Sequence, residues 1–381
     1  MRYLKAVLLF IYVSFFWSAT NCQSRSKYYL LIGSYTKPAD DKGIAVYEFD
    51  AKDGSLNYKS TVGGIENPSY LTISNKRNNV YAVSEKGRAP GVVVSYMFDR
   101  IKATLKKLNE VAEEGRGPCY ISTGRDDKHV FVANYGDGSI AAIGINKNGS
   151  LDSTGIQSIQ HTGSSLDKDN QAGPHAHSIL TSPDNRFALS ADLGSDRIYL
   201  YHYNADKQKP LIAADPGFVS VTPGSGPRHI CFHPNGHYAY VVNELAGSIH
   251  VFDYKAGSLK EKQLISMLPD GYQGIIEAAD IHISPDGKFL YASNREERNE
   301  LAIYAIAKDG RLKFIDRQST MGTAPRNFAI DPTGKFLLVA NMRTNEVIVF
   351  RRNLTTGLLK LTEKKIQIDA PACLKFFKQA H

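Results

Sequence analysis

Four side chains stand out because each handles charge and each departs from a pattern its neighbours keep: His177, Arg228, Glu244 and Arg295. An imidazole and a carboxylate can exchange a proton with water or with a leaving group. Two guanidiniums can hold an anion, or the oxyanion that develops when a carbonyl is attacked. Together they suit the attack of water on an ester-like carbonyl. They are distant along the chain, so their relevance depends on the elements that carry them.

Those elements repeat. A Gly/Ala-Pro opening, a short apolar strand, a turn, and a second strand ending in Asn or Asp recur along the chain. The fourth copy is clearest, from Gly226-Pro227-Arg228-His229 through Pro234-Asn235-Gly236 to Tyr238–Asn243. The openings at Pro68, Pro118, Pro174, Pro227, Ala279, Pro325 and Pro371 are 50, 56, 53, 52, 46 and 46 residues apart. That spacing suits a four-stranded propeller blade. Related turns at Pro183-Asp184-Asn185, Pro285-Asp286-Gly287 and Pro332-Thr333-Gly334 combine a fixed φ with a residue that accepts positive φ. The last opening leads into one strand only, Ala372–Phe377, while Tyr28–Gly33, Ile44–Asp50 and Leu56–Val62 precede the first. One terminal strand and three initial ones make a blade. The expected fold is therefore all-β: a single seven-bladed β-propeller over residues 23–381, closed by strands from both termini and free of open sheet edges.

In such a ring the start of strand one and the end of strand two meet at one mouth of the central channel. The first position reads Ser69, Cys119, His177, Arg228, Ala279, Arg326 and Ala372 around the ring. Strand two ends at Ser84, Asn134, Asp192, Asn243, Asn294, Asn341 and Gly33, followed by Glu85, Tyr135, Leu193, Glu244, Arg295, Met342 and Ser34. His177, Arg228, Glu244 and Arg295 come from blades three, four and five. Departures clustered on one face point to a site, because a repeat fold needs only its consensus. Arg326 is a further anion anchor, and His175, His229 and His282 lie close by as further candidates for binding the substrate. The Asn/Asp series reads first as satisfaction of backbone groups at strand ends; Asn243 and Asn294 also stand where a substrate would touch. Two long connections, residues 158–173 and 267–278, flank the cluster as candidate walls.

The remaining features bound the setting. Residues 1–22 read as an export signal: Arg2 and Lys5, an apolar run from Ala6 to Trp17, then small residues. Cys22 stands where a lipidated cysteine would, so the protein is expected to be exported, periplasmic or envelope-anchored. Cys119, Cys231 and Cys373 fall in inner strands and read as buried thiols. The formal charge of +8 drops to +6 without Arg2 and Lys5, and no basic run marks a nucleic-acid partner. No cofactor is implied. No cysteines have metal-ligand spacing, though Asp192, Asn243 and Asn294 form a conceivable cation set.

The phrases Gly226-Pro227-Arg228-His229 with Phe232-His233-Pro234, Tyr240-Val241-Val242-Asn243-Glu244, Ala279-Asp280-Ile281-His282-Ile283 and Leu290-Tyr291-Ala292-Ser293-Asn294-Arg295 are long and specific. So are Gly173-Pro174-His175-Ala176-His177-Ser178 and Ala324-Pro325-Arg326-Asn327-Phe328. With them the chain, from about Tyr28 onward, resembles the lactonase family of seven-bladed propellers. That family includes the propeller-type 6-phosphogluconolactonases and, more distantly, the fungal carboxymuconate-lactonising enzyme. The resemblance implies a hydrolase opening a small anionic or sugar lactone, with His177, Arg228, Glu244 and Arg295 as its site. Either His177 or Glu244 serves as general base. No Gly-x-Ser-x-Gly turn supports a serine nucleophile. Cyclisation or elimination on an unsaturated acid, and a non-enzymatic binding platform, are the rival readings. An exported chain would meet few phosphorylated sugars, which sets the export signal apart from the family's cytoplasmic reaction.

Overall fold

The computed structural model describes residues 26–36, 42–86 and 90–377. The export signal and Cys22 lie outside the described residues. Every regular element among them is a strand, and the strands form seven four-stranded antiparallel sheets. This is the seven-bladed propeller read from the repeats. The C-terminal strand Pro371–Phe377 pairs with the N-terminal strand Lys27–Ser34, from Tyr29 opposite Phe377 to Ser34 opposite Pro371. Neither terminus leaves an unpaired inner strand, and the ring is closed by a full ladder of hydrogen bonds.

The blades form for the reasons their sequences give. Strands two and three are buried on both faces, as in Phe289–Asn294 and Glu300–Ile306, so they carry near-continuous apolar runs. The fourth strands, such as Leu312–Ser319, alternate because one face meets solvent. Hairpin residues Asn185, Gly236, Gly287 and Gly334 all have positive φ, from +58° to +75°. Neighbouring blades pack apolar faces together, as Tyr291 and Phe289 do against Phe328 and Phe350. A tyrosine stitch repeats between them. Tyr81, Tyr240 and Tyr291 each donate through their hydroxyls to the carbonyl of Gly149, Gly310 and Gly357 in the next blade, at 2.7–3.1 Å.

The pairing register refines the sequence reading in four places. The residue opposite the terminal Asn/Asp of strand two is Ala176 in blade three and Ala278 in blade five, not Pro174 and Ala279. Residues Gln157–Gln160 are the fourth strand of blade two, so the loop before blade three begins only after them. The fourth strand of blade four, which the sequence places near Gln263–Leu268, spans Ser258–Ser266.

The register also shows a device that alternation alone does not predict. Just inside the mouth, the inner strand carries one extra residue in six of the seven blades. Pro227 pairs with Asn243 and His229 with Val242, leaving Arg228 as the bulged residue. The corresponding residues are Cys119, His177, Arg326 and Ala372, and blade five sets Ala279 and Asp280 against a single partner. A bulge re-aims a side chain. Here it lets successive residues, such as Arg228 and His229, both reach the central cluster.

Candidate active site at the channel mouth

Glu244 is the centre of the arrangement. It follows the last residue of strand two in blade four, and its backbone N–H donates to the Gly226 carbonyl at 2.7 Å. Its Oε2 accepts from Arg228 Nε at 2.7 Å and its Oε1 from Arg295 Nη2 at 2.6 Å. Arg228 is one of the largest fully buried side chains of the molecule, and Arg295 is nearly as buried. Burial pushes the Glu244 carboxyl up, but Arg295, Arg228 and Arg326 outweigh it and hold the group below its ordinary range. It is a carboxylate clamped between two cations, and that weakens it as a base.

His177 approaches the same carboxylate from blade three, its Nε2 3.6 Å from Glu244 Oε2. This is beyond a hydrogen bond. Its Nδ1 lies 3.6 Å from the Cys119 thiol, and Tyr135 packs edge-on against the ring at 5.3 Å. Burial, reinforced by Arg228, His229 and Arg326, holds this imidazole well below its ordinary range. At neutral pH it is uncharged.

Arg326, the bulged residue of blade six, differs from the other two arginines. It forms no ion pair among the described residues; its guanidinium lies over the Tyr35 ring at 5.3 Å. Burial disfavours its charge, yet Tyr35, Glu85 and Glu244 outweigh that and raise its pKa. Glu85 in turn accepts from Ser69 Oγ at 2.6 Å and from Tyr35 Oη at 3.0 Å. Tyr35 also borders a cavity of about 610 Å³ between blades six and seven, with Lys42, Tyr47, Asn345 and Gln367.

Aromatic rings pack next to the charged cluster. Tyr70 and Tyr120 stack at 4.4 Å, and His229 lies edge-on to both at 5.6 and 5.2 Å. All three are nearly buried.

The family model "Lactonase, 7-bladed beta-propeller" matches residues 29–376. The chain belongs to the lactonase family of seven-bladed propellers. It is 36% identical to a 6-phosphogluconolactonase of Formosa agariphila, over 92% of this chain and 100% of that one. It is 33% identical to a 6-phosphogluconolactonase of Bacillus subtilis, over 93% and 99%. Among solved structures it is similar to the periplasmic gluconolactonase of Pseudomonas aeruginosa, at 37% identity, with a TM-score of 0.88 over 93% of this chain and 99% of that one.

In this lactonase-family chain the fold brings His177, Arg228, Glu244, Arg295 and Arg326 to one opening. His175 lies at its rim, stacked on Tyr135 at 4.6 Å, with Nδ1 2.6 Å from the Tyr135 carbonyl. His229 and His282 sit deeper on the inner strands, each 2.8 Å from an oxygen of Asp280. Asn243 and Asn294 are turned into their blades. Asn243 Nδ2 contacts Ser248 Oγ and His250 Nδ1, and Asn294 Oδ1 accepts from the Glu277 backbone. Asp192 is committed likewise, to His161 and to Ser195. The loop before blade five reaches the site, since the Glu277 carbonyl accepts from Arg295 Nε at 3.3 Å. The loop before blade three instead supports the end of strand two, through Gln171 and the Leu193 carbonyl.

Sequence reasoning passed over Cys119, Glu85, Tyr35 and Asp280. Cys119 and Glu85 stand in the same two rings as the chosen residues, so position carried the signal. Tyr35 lies one residue beyond the ring and nothing in the repeat marks it.

Proposed function

We propose that this chain is exported and opens a sugar lactone at the channel mouth, with His177 as the general base. Water held beside His177 Nε2 attacks the lactone carbonyl and gives up a proton to the imidazole. The carbonyl oxygen becomes an oxyanion, and Arg326 stabilises it, because among the described residues no carboxylate forms a direct ion pair with its guanidinium. The tetrahedral intermediate collapses, the ring C–O bond breaks, and the imidazolium returns the proton to the leaving alkoxide. The products are a free hydroxyl and a carboxylic acid, which releases its remaining proton to solvent and leaves as the carboxylate. Glu244 holds Arg228 and Arg295 in place rather than moving the proton.

One observation carries this division of labour. Both oxygens of Glu244 already receive short bonds from buried guanidiniums, whereas Nε2 of neutral His177 receives none from the described residues. The basic segment and apolar run at residues 1–22, and the likeness to a periplasmic gluconolactonase, support a substrate met outside the cytoplasm. An unphosphorylated sugar lactone fits that setting.

The test is pH-stat hydrolysis of a plain and a 6-phosphorylated gluconolactone by the parent and by His177→Gln. The proposal expects turnover of the plain lactone and a loss of at least a hundredfold in His177→Gln. Turnover of the plain lactone by His177→Gln at the parent rate would refute the base. Hydrolysis of the phosphorylated lactone alone would refute the substrate reading.

A further inference from the structure

Beneath the charged cluster lies a set of polar groups that the hydrolysis described above does not use. Asp280, on the inner strand of blade five, is almost completely buried. Its Oδ1 accepts from the Ile281 backbone N–H at 3.0 Å and lies 2.8 Å from His229 Nδ1. Its Oδ2 lies 2.8 Å from His282 Nε2, and accepts from Asn327 Nδ2 at 2.5 Å and from the Phe328 backbone at 3.3 Å. The other nitrogen of His229, Nε2, is 3.2 Å from Arg228 Nη1.

This contact fixes a tautomer. A guanidinium has donors and no acceptor, so Nε2 must present its lone pair to Arg228. The ring hydrogen then resides on Nδ1, where Asp280 takes it. Both ends of the imidazole demand the same state. Arg228 is thereby held by three acceptors in different directions: Glu244 Oε2 at 2.7 Å, the Ala279 carbonyl at 2.5 Å, and His229 Nε2. A buried arginine on a bulge needs such restraint, because a small rotation redirects its remaining N–H edges away from a substrate.

We propose that Asp280 and His229 are positioning residues that orient Arg228 toward the bound lactone. The proposal rests on the reading of Arg228 as part of the substrate site. Asp280 holds His229 in the tautomer that accepts, and His229 fixes the guanidinium from below. Neither touches the substrate.

The experiment compares His229→Phe, His229→Gln and Asp280→Asn, each alone, and His229→Phe also combined with Arg228→Ala. Steady-state kcat and KM for gluconolactone are read beside thermal unfolding. His229→Phe removes the acceptor and is expected to lower kcat/KM about tenfold to a hundredfold. His229→Gln offers a side-chain oxygen near the Nε2 position and should restore most of that loss. A purely structural role would not produce this rescue. In the Arg228→Ala background, His229→Phe should cost no further activity, even if it lowers the melting temperature.

Hydrolysis by folded His229→Phe within twofold of the parent overturns the proposal. So does a glutamine variant as poor as the phenylalanine one, or a loss that adds in full to that of Arg228→Ala. Should His229→Phe not fold, Asp280→Asn is read against the same limits, since its amide would face hydrogen-bond donors on both sides. Arg228→Ala at the parent rate would instead remove the site reading, and this pair with it. The two failures are therefore distinguishable.

Discussion

Replacing Glu244 with glutamine keeps the shape and removes the charge. Both carboxylate oxygens now accept from guanidiniums, at 2.7 Å from Arg228 and 2.6 Å from Arg295. Whichever way the new amide turns, its NH₂ faces a donor. Two nearly buried cations then lose their shared counterion. Breaking a buried ion pair by removing one partner costs about 3–5 kcal/mol. At ~2.1 cal/mol/K per residue, a chain of this size unfolds with an entropy on the order of 0.8 kcal/mol/K, so that loss lowers the melting temperature by roughly 4–6 °C. Activity should fall further than stability, because both arginines shift at once. A drop in kcat/KM of about 10²–10³ is expected for such a loss of preorganised charge. The assays are differential scanning calorimetry and pH-stat hydrolysis across pH. If Glu244 is a counterion, the residual activity keeps an acid limb set by His177. If Glu244 is the base, that limb disappears. Melting within about a degree of the parent, with parent-like hydrolysis, would refute the whole account of the clamp.

Further outcomes follow from the same geometry. His177 is held well below the ordinary imidazole range by burial and by Arg228, so the acid limb of kcat/KM should lie clearly below the ordinary histidine pKa of about 6.5; a limb at or above that value contradicts the assignment. Arg326→Met should cut kcat more than it raises KM, if the guanidinium acts on the oxyanion and not on the bound substrate; separate kcat and KM values decide it. Burial, with Arg228 beside it, lowers His229 to about 4. The unfolded chain therefore binds this proton first as the pH drops, and stability should rise with pH between about 4 and 6.5, by something on the order of 3 kcal/mol for this group. Urea unfolding at intervals across that range tests it, and His229→Gln should flatten the slope. Export with lipidation at Cys22 predicts fatty-acid labelling that Cys22→Ala abolishes; a soluble, unlabelled parent would leave only cleavage of the signal.

The sequence by itself determined the ring. Openings at a near-constant spacing, turns built from Pro with Asn or Gly, and a final copy of one strand require seven blades and a shared terminal blade. The pairing of Lys27–Ser34 with Pro371–Phe377 is what that arithmetic demands. Repetition also exposed His177, Arg228, Glu244 and Arg295, because a residue that departs from a repeat is visible without a structure.

What only the tertiary structure decided is how those residues divide their tasks. Chain order says nothing about which oxygen of Glu244 meets which guanidinium, and that contact is what distinguishes a clamped counterion from a base. The bulge that aims Arg228 inward depends on pairing with Asn243 and Val242 across a hairpin, which a one-residue slip would erase. Asn243 and Asn294 occupy ring positions as prominent as Glu244, yet hydrogen bonds inside their blades turn them away from the mouth. Asp280 stayed inconspicuous for the opposite reason. Its partner His282 lies two residues along the same strand, but His229 and Asn327 come from the blades on either side, and only the packing of those blades brings them within hydrogen-bonding distance of one carboxylate.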